Sequence, residues 1–188
     1  MNVTCYHDHG CVLDGEGHEP LAFPGIFVMR NRLTVALLVL AAVSFMPMPY
    51  ARAAEDDVQG AKAAVGKFHE ALNLLFTGEA GPIKAVWSHA DDVTYMGPVG
   101  GMQVGWAQIE PYWDRQAAKK LGGKVDATDM HVVASPQLAV AHYFEKGENV
   151  IDGKPQPVSI RTTTTLRKEN GKWMVIGHHT DTLAYLQK

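Results

Sequence analysis

Six histidines fall between residues 54 and 188: His69, His89, His131, His142, His178 and His179. Imidazole exchanges protons near neutral pH, so each is a candidate acid, base or metal ligand. The adjacent pair His178-His179 lies in a run from Trp173 to Thr182 that reads as a strand. Successive strand side chains point to opposite faces, so these two imidazoles cannot share one cavity or chelate one metal there. Strict alternation puts Trp173, Val175, Gly177, His179 and Asp181 on one face, and Met174, Ile176, His178 and Thr180 on the other. Asp181 is then placed to orient or charge-pair His179, and Gly177 leaves room for a ligand. Arg161 and Thr163 share a face of the preceding strand-like run, where a guanidinium could clamp a carboxylate or an enolate. Each has a plainer alternative: a histidine held by a neighbouring backbone or hydroxyl group, and an arginine exposed on the outer face.

Trp87, Tyr95, Trp106, Tyr112 and Trp113 gather around the predicted helix junctions, as core or as the aromatic wall of a pocket. His142, between Val140 and Phe144 at strand spacing, lines a cavity or packs. His69 borders the apolar stripe of a helix and could cap a pocket. His89 and His131 carry no signal beyond their residue type. Metal-assisted chemistry by His142, His179 and Asp181 is a further alternative, but no metal or cofactor is assigned. No Gly-rich phosphate loop, H-E-x-x-H or G-x-S-x-G motif is present. Basic residues are scattered rather than striped, which argues against nucleic acid as a partner.

The elements that must position these groups follow from periodicity. Ala61, Val65, Phe68, Leu72 and Leu75 recur at helical spacing with one buried stripe, ended by Gly78. Pro82, with Ile83, Val86 and Trp87 on one face, marks a second, short helix. Val93 to Met96 and Met102 to Gly105 read as short strands around a Gly-Pro-Val-Gly-Gly turn. A third helix carries Ile109, Tyr112, Trp113, Gln116, Ala117 and Leu121, with Pro111 near its first turn. Strand-like runs then span Val125 to Val133, Leu138 to Val150, Val158 to Lys168 and Trp173 to Thr182. Asn170-Gly171 favours a two-residue hairpin between the last two. Segregated helices and strands predict an α+β fold: a curved antiparallel sheet with helices closing its concave side over a cavity.

The 188 residues do not all belong to that domain. Arg30 and Arg32 precede an apolar centre, Leu33 to Phe45, and the exit Ala51-Arg52-Ala53 has the A-x-A form of an export signal. The apolar centre is too short to span a bilayer, which needs about 20 residues. We therefore expect a leader over 1–28, a signal over 29–53 cleaved after Ala53, a tether over 54–57, and one domain over 58–188 in the periplasm or secreted. Cys5 and Cys11 both lie in the leader, where with His7 and His9 they lack the spacing of zinc frameworks. The whole chain has a formal charge of −3. The exported part stays near neutral, since Arg30, Arg32 and Arg52 leave with Asp8, Asp14, Glu16 and Glu19.

The element order, the stretch Trp87-Ser88-His89-Ala90-Asp91-Asp92-Val93-Thr94-Tyr95, Gly105-Trp106 before the third helix, and the ending Arg161-Thr162-Thr163, Gly171-Lys172-Trp173, His179 and Asp181 resemble a SnoaL-like domain. That family belongs to the NTF2-like superfamily, with the ketosteroid isomerases and polyketide cyclases. The resemblance covers about residues 58–186 and implies a single cone-shaped domain. It favours His179 as the pocket-facing imidazole and puts Tyr95 near the cavity mouth. It also implies pairing of two copies through the outer sheet face. One departure matters: ketosteroid isomerases carry their aspartate base before a Pro-Val-Gly, whereas Gly97 precedes Pro98-Val99-Gly100 here. That isomerase chemistry is not implied.

The combined expectation is a cavity for a small, largely apolar molecule. His179, Asp181 and Arg161 would carry any acid-base catalysis, with Tyr95, Trp106, Trp113, His142 and Thr163 as ligand contacts. The alternative is a non-catalytic dimerisation or ligand-carrier module.

Overall fold

The computed structural model describes residues 49–187, with side chains from residue 54 onward. The expected leader, both cysteines, and the basic start and apolar centre of the export signal lie outside the described residues.

The first helix, α1 (Pro49–Thr77), buries Ala61, Val65, Phe68 and Leu75 and ends at Gly78, whose φ of 110° suits glycine. It begins earlier than the sequence implied. Residues 54–57, expected as a tether, are helical, and Asp57 is buried against Lys168. The helix thus runs through the expected cleavage point after Ala53. Asn73 ties α1 to the sheet: its Oδ1 accepts from Val125 N–H at 2.9 Å, and its Nδ2 donates to Val125 C=O at 3.1 Å.

Helix α2 (Gly81–Val86) carries Pro82 in its first turn, where a missing N–H costs nothing, and buries Ile83. Strands β1 (Thr94–Met96) and β2 (Gln103–Val104) pair antiparallel, and α3 (Trp106–Ala118) follows. Pro111 lies inside α3 rather than near its first turn, while Ile109, Tyr112, Trp113 and Ala117 form its buried face. Four long strands complete the chain: β3 (Lys124–Ala134), β4 (Leu138–Ile151), β5 (Lys154–Glu169) and β6 (Lys172–Thr180). Asn170 and Gly171 both have positive φ, 49° and 77°, the conformation a type I′ hairpin requires.

The sheet order is β2-β1-β6-β5-β4-β3. It is mixed rather than wholly antiparallel, because β1 runs parallel to β6. The three helices cover one face, and the core formed between helices and sheet includes Phe68, Trp87, Tyr95, Trp113, Tyr143 and Leu166. No helix among the described residues is long and apolar enough to cross a membrane.

One irregularity decides which residues face that core. Thr165 pairs with Gly177 but Leu166 pairs with Val175, so Ile176 is an extra residue on β6. Such a bulge breaks the alternation of side chains. Val175, His178 and Thr180 are consequently all buried, whereas His179 is exposed.

Candidate functional site

The helix-covered face encloses a narrow cavity lined by apolar side chains from α1, α3 and the sheet, among them Phe68, Leu75, Trp113, Val158 and Ile160. Its free volume is about 50 Å³, enough for water but smaller than the roughly 150 Å³ that holds benzene. Glu145, His178, Tyr95, Gln116 and Asn149 supply its polar groups.

Glu145 reaches the cavity because Ala139, Ala141, Tyr143 and Glu145 alternate onto the inner face of β4. Its Oε1 lies 3.4 Å from His178 Nε2 and 3.7 Å from His69 Nε2. No hydrogen bond to Oε1 forms among the described residues. Burial pushes the carboxyl up to about 8, so it is mostly protonated at neutral pH. Burial pulls His178 down to about 3 and His69 down to about 4, so both rings are neutral. The three groups therefore meet as uncharged neighbours rather than as an ion pair.

Two hydroxyls join the imidazoles, meeting His178 at the nitrogen away from Glu145 and His69 at the same Nε2 that faces the acid. Tyr143 Oη lies 3.2 Å from His69 Nε2 and 2.7 Å from Thr164 Oγ1, which lies 3.0 Å from His178 Nδ1. Each hydroxyl has one proton to give, so this chain runs in one sense at a time. Phe68 and Tyr95 hold the His178 ring, with Tyr95 stacked at 5.8 Å between centroids and 9° between planes. Burial raises the Tyr95 and Tyr143 hydroxyls well above the ordinary phenol range, keeping both as donors.

Gly97 explains the absent aspartate. A Cβ at this position would sit 2.0 Å from the Tyr95 hydroxyl. The tyrosine oxygen thus fills the space that any side chain at residue 97 would need.

The sequence-derived candidates separate onto opposite faces. Tyr95 and Trp113 lie in the cavity wall. Trp106 does not line it and instead stacks on His89 at 4.0 Å. His179, Asp181, Arg161, His142 and Thr163 all lie on the outer face, which corrects their placement in the cavity. The cause is the Ile176 bulge for His179, and for His142 the inner phase of its strand neighbours Ala141 and Tyr143.

On that outer face His131 pairs with His142, His142 with Thr163, and Thr163 with His179, giving one row across four strands. The depression there has a volume of about 470 Å³, but it is shallow and its charged groups are matched. Arg161 Nε donates to Asp181 Oδ2 at 2.9 Å, and Lys146 pairs with Asp129 at 2.9 Å. His142 Nδ1 lies 3.1 Å from Thr163 Oγ1. Among the described residues no group of three or more His, Asp, Glu or Cys side chains is arranged to hold a metal ion. The inner cavity, with a buried acid that lacks a partner, is the stronger candidate despite its smaller volume.

The sequence reading missed Glu145, Tyr143, Thr164 and Asn149 and set His178 aside. The signal for Glu145 was present: an acid in phase with Ala139, Ala141 and Tyr143. It was masked because the opposite phase, Val140, His142 and Phe144, is equally apolar.

A curved open sheet closed by three helices over a buried polar cluster defines an NTF2-like domain. The chain belongs to the SnoaL-like domain family, whose model matches residues 62–184. Three similar solved structures carry the fold. A candidate dehydratase of the NTF2-like family from Streptomyces avermitilis has a TM-score of 0.61 at 19% identity, covering 69% of this chain and 97% of its own. A candidate aromatic ring hydroxylase from Novosphingobium aromaticivorans gives 0.59 at 18%, covering 68% and 90%. A candidate ketosteroid isomerase from Shewanella frigidimarina gives 0.53 at 15%, covering 65% and 94%. No curated protein matches the chain. These likenesses establish the fold, and their differing names leave the chemistry to the site itself.

Proposed function

We propose that the inner cavity binds a small, largely apolar carbonyl compound and moves a proton on it through Glu145. The observation that carries this reading is Glu145 itself: buried, without a hydrogen bond at Oε1 among the described residues, and placed at one polar end of a largely apolar cavity. With a pKa near 8, its carboxylate form is accessible close to neutral pH and strong enough to accept a proton from carbon next to a carbonyl. The Tyr95 hydroxyl, held protonated by burial, is the nearby donor for the developing enolate oxygen. His178 and His69 then serve as neutral neighbours of Glu145, not as the primary base.

The test is exchange of the α-protons of methyl octyl ketone in heavy water, followed by NMR. Wild type should accelerate exchange and Glu145→Gln should abolish the acceleration while keeping the fold. No acceleration by wild type would remove the proton-transfer reading.

A second reading is pairing of two copies through the outer sheet face. Its support is apolar exposure there: Val133 is 62%, Leu138 49% and Phe144 40% exposed. Sedimentation over a range of concentrations should show a dimer that Phe144→Asp dissociates, and a monomer throughout would refute it.

We infer export to the periplasm or beyond, supported by the basic start, apolar centre and A-x-A exit of residues 29–53. Mass spectrometry of the N-terminal peptide should find Ala54 first, and peptides from residues 1–53 in the accumulated protein would contradict export by this signal.

A further inference from the structure

The cavity has a second polar end that proton transfer does not use. Asn149 lies four residues beyond Glu145 on the same face of β4, roughly 13 Å along the strand. It is 3% exposed and lines the cavity. Its Oδ1 accepts from the Tyr185 hydroxyl at 3.5 Å, but its Nδ2 has no hydrogen-bond partner among the described residues. A buried amide donor without an acceptor is unfavourable, and such groups mark places where something else binds.

The segment that meets Asn149 is also lightly held. Leu183 and Leu186 flank and complete a 3-10 turn (Ala184–Leu186) and project into the cavity, yet the turn itself buries no residue. It is held by Leu183 N–H donating to Pro98 C=O at 2.9 Å and by the Tyr185 hydroxyl, whose one proton is shared between Asn149 Oδ1 and Pro157 C=O at 3.3 Å. With these leucines in place the free volume is about 50 Å³, too small for a ligand of more than a few atoms, and lifting the turn would enlarge it.

We propose that Asn149 is the specificity-determining residue at the mouth of this cavity, its free Nδ2 donating to an oxygen at the far end of the ligand when the turn lifts and the Tyr185 contact to its Oδ1 is released. This rests on the reading of the cavity as a ligand site. The ligand class is an uncharged apolar chain or ring system with a hydrogen-bond-accepting oxygen at each end, one near Glu145 and one near Asn149. A carboxylate or phosphate end does not suit it, because among the described residues no lysine or arginine lines the cavity.

The experiment compares methyl octyl ketone with its ω-hydroxy derivative by calorimetry on the full chain. Wild type should bind the hydroxy ketone about tenfold more tightly, as expected for one added hydrogen bond. Asn149→Ala should bring the ratio to about one. Tyr185→Phe, which keeps Asn149, should tighten both ketones by about threefold and preserve the ratio. Equal binding of the two ketones by wild type, or a ratio that survives Asn149→Ala, would overturn the role of Asn149. Unchanged affinities in Tyr185→Phe would overturn the release from Tyr185. Binding of neither ketone by wild type would instead overturn the ligand-site reading on which the proposal rests.

Discussion

Glu145 Oε1 stands 3.4 Å from His178 Nε2 with both side chains sealed from solvent, so an acid and a base share a site in which neither is charged at neutral pH. Placing such a pair under helices costs stability at both ends of the pH range, and the sign differs for each partner.

The carboxyl is raised from 4.5 to about 8, so the native state holds its proton longer than the unfolded chain, and stability falls as pH rises between those values. The imidazoles are lowered from 6.5 to about 3 and 4, so the native state resists their protonation, and stability falls as pH drops below 6.5. Two imidazoles outweigh one carboxyl below that point. Thermal melting across this range should peak near pH 6.5, and Glu145→Gln should flatten the alkaline side. A melting temperature that climbs steadily to pH 8 would contradict these shifts.

Gly97→Ala would force the Tyr95 ring from its place against His178, since the added carbon overlaps the hydroxyl. Overpacking of this kind costs about 1–3 kcal/mol. Urea unfolding should show that loss, and near-ultraviolet dichroism should show the aromatic cluster disturbed. The same substitution at an open glycine, Gly66→Ala, should not destabilise, because nothing lies within 4 Å of its Cβ position.

Asn73→Ala would remove both hydrogen bonds that fix α1 to Val125 on the outermost long strand. Leaving the Val125 amide without its acceptor should cost about 1–3 kcal/mol in denaturant unfolding. His69 lies one helical turn before Asn73, so the Glu145 titration should shift in this variant as well.

Arg161→Ala and His179→Ala should leave ligand binding in the cavity unchanged. Both side chains sit on the outer face, and the exposed Arg161 and Asp181 are paired with each other. Calorimetry with methyl octyl ketone measures this directly. Loss of binding in either variant would move the site to the other side of the sheet.

Much of the fold was legible because periodicity and turn chemistry are local. The α1 stripe, the Pro82 helix start and the Asn170-Gly171 hairpin all emerge where the residues say they should. The site was less legible because it depends on phase. A single extra residue, Ile176, moves His178 inward and His179 outward, and no residue type in that run announces the bulge. On β4, alternation alone offered Glu145 or His142, and only the helix packed above decides between them. The short strand β1 joining β6 in parallel is a long-range pairing that sequence spacing does not specify.

The most direct test of the inner cavity as the binding site is an NMR titration of the protein with methyl octyl ketone, mapped residue by residue. The largest shifts should fall on Tyr95, Trp113, Glu145 and His178, with His142, Thr163 and His179 unmoved. Shifts confined to the row of His131, His142, Thr163 and His179 would contradict it.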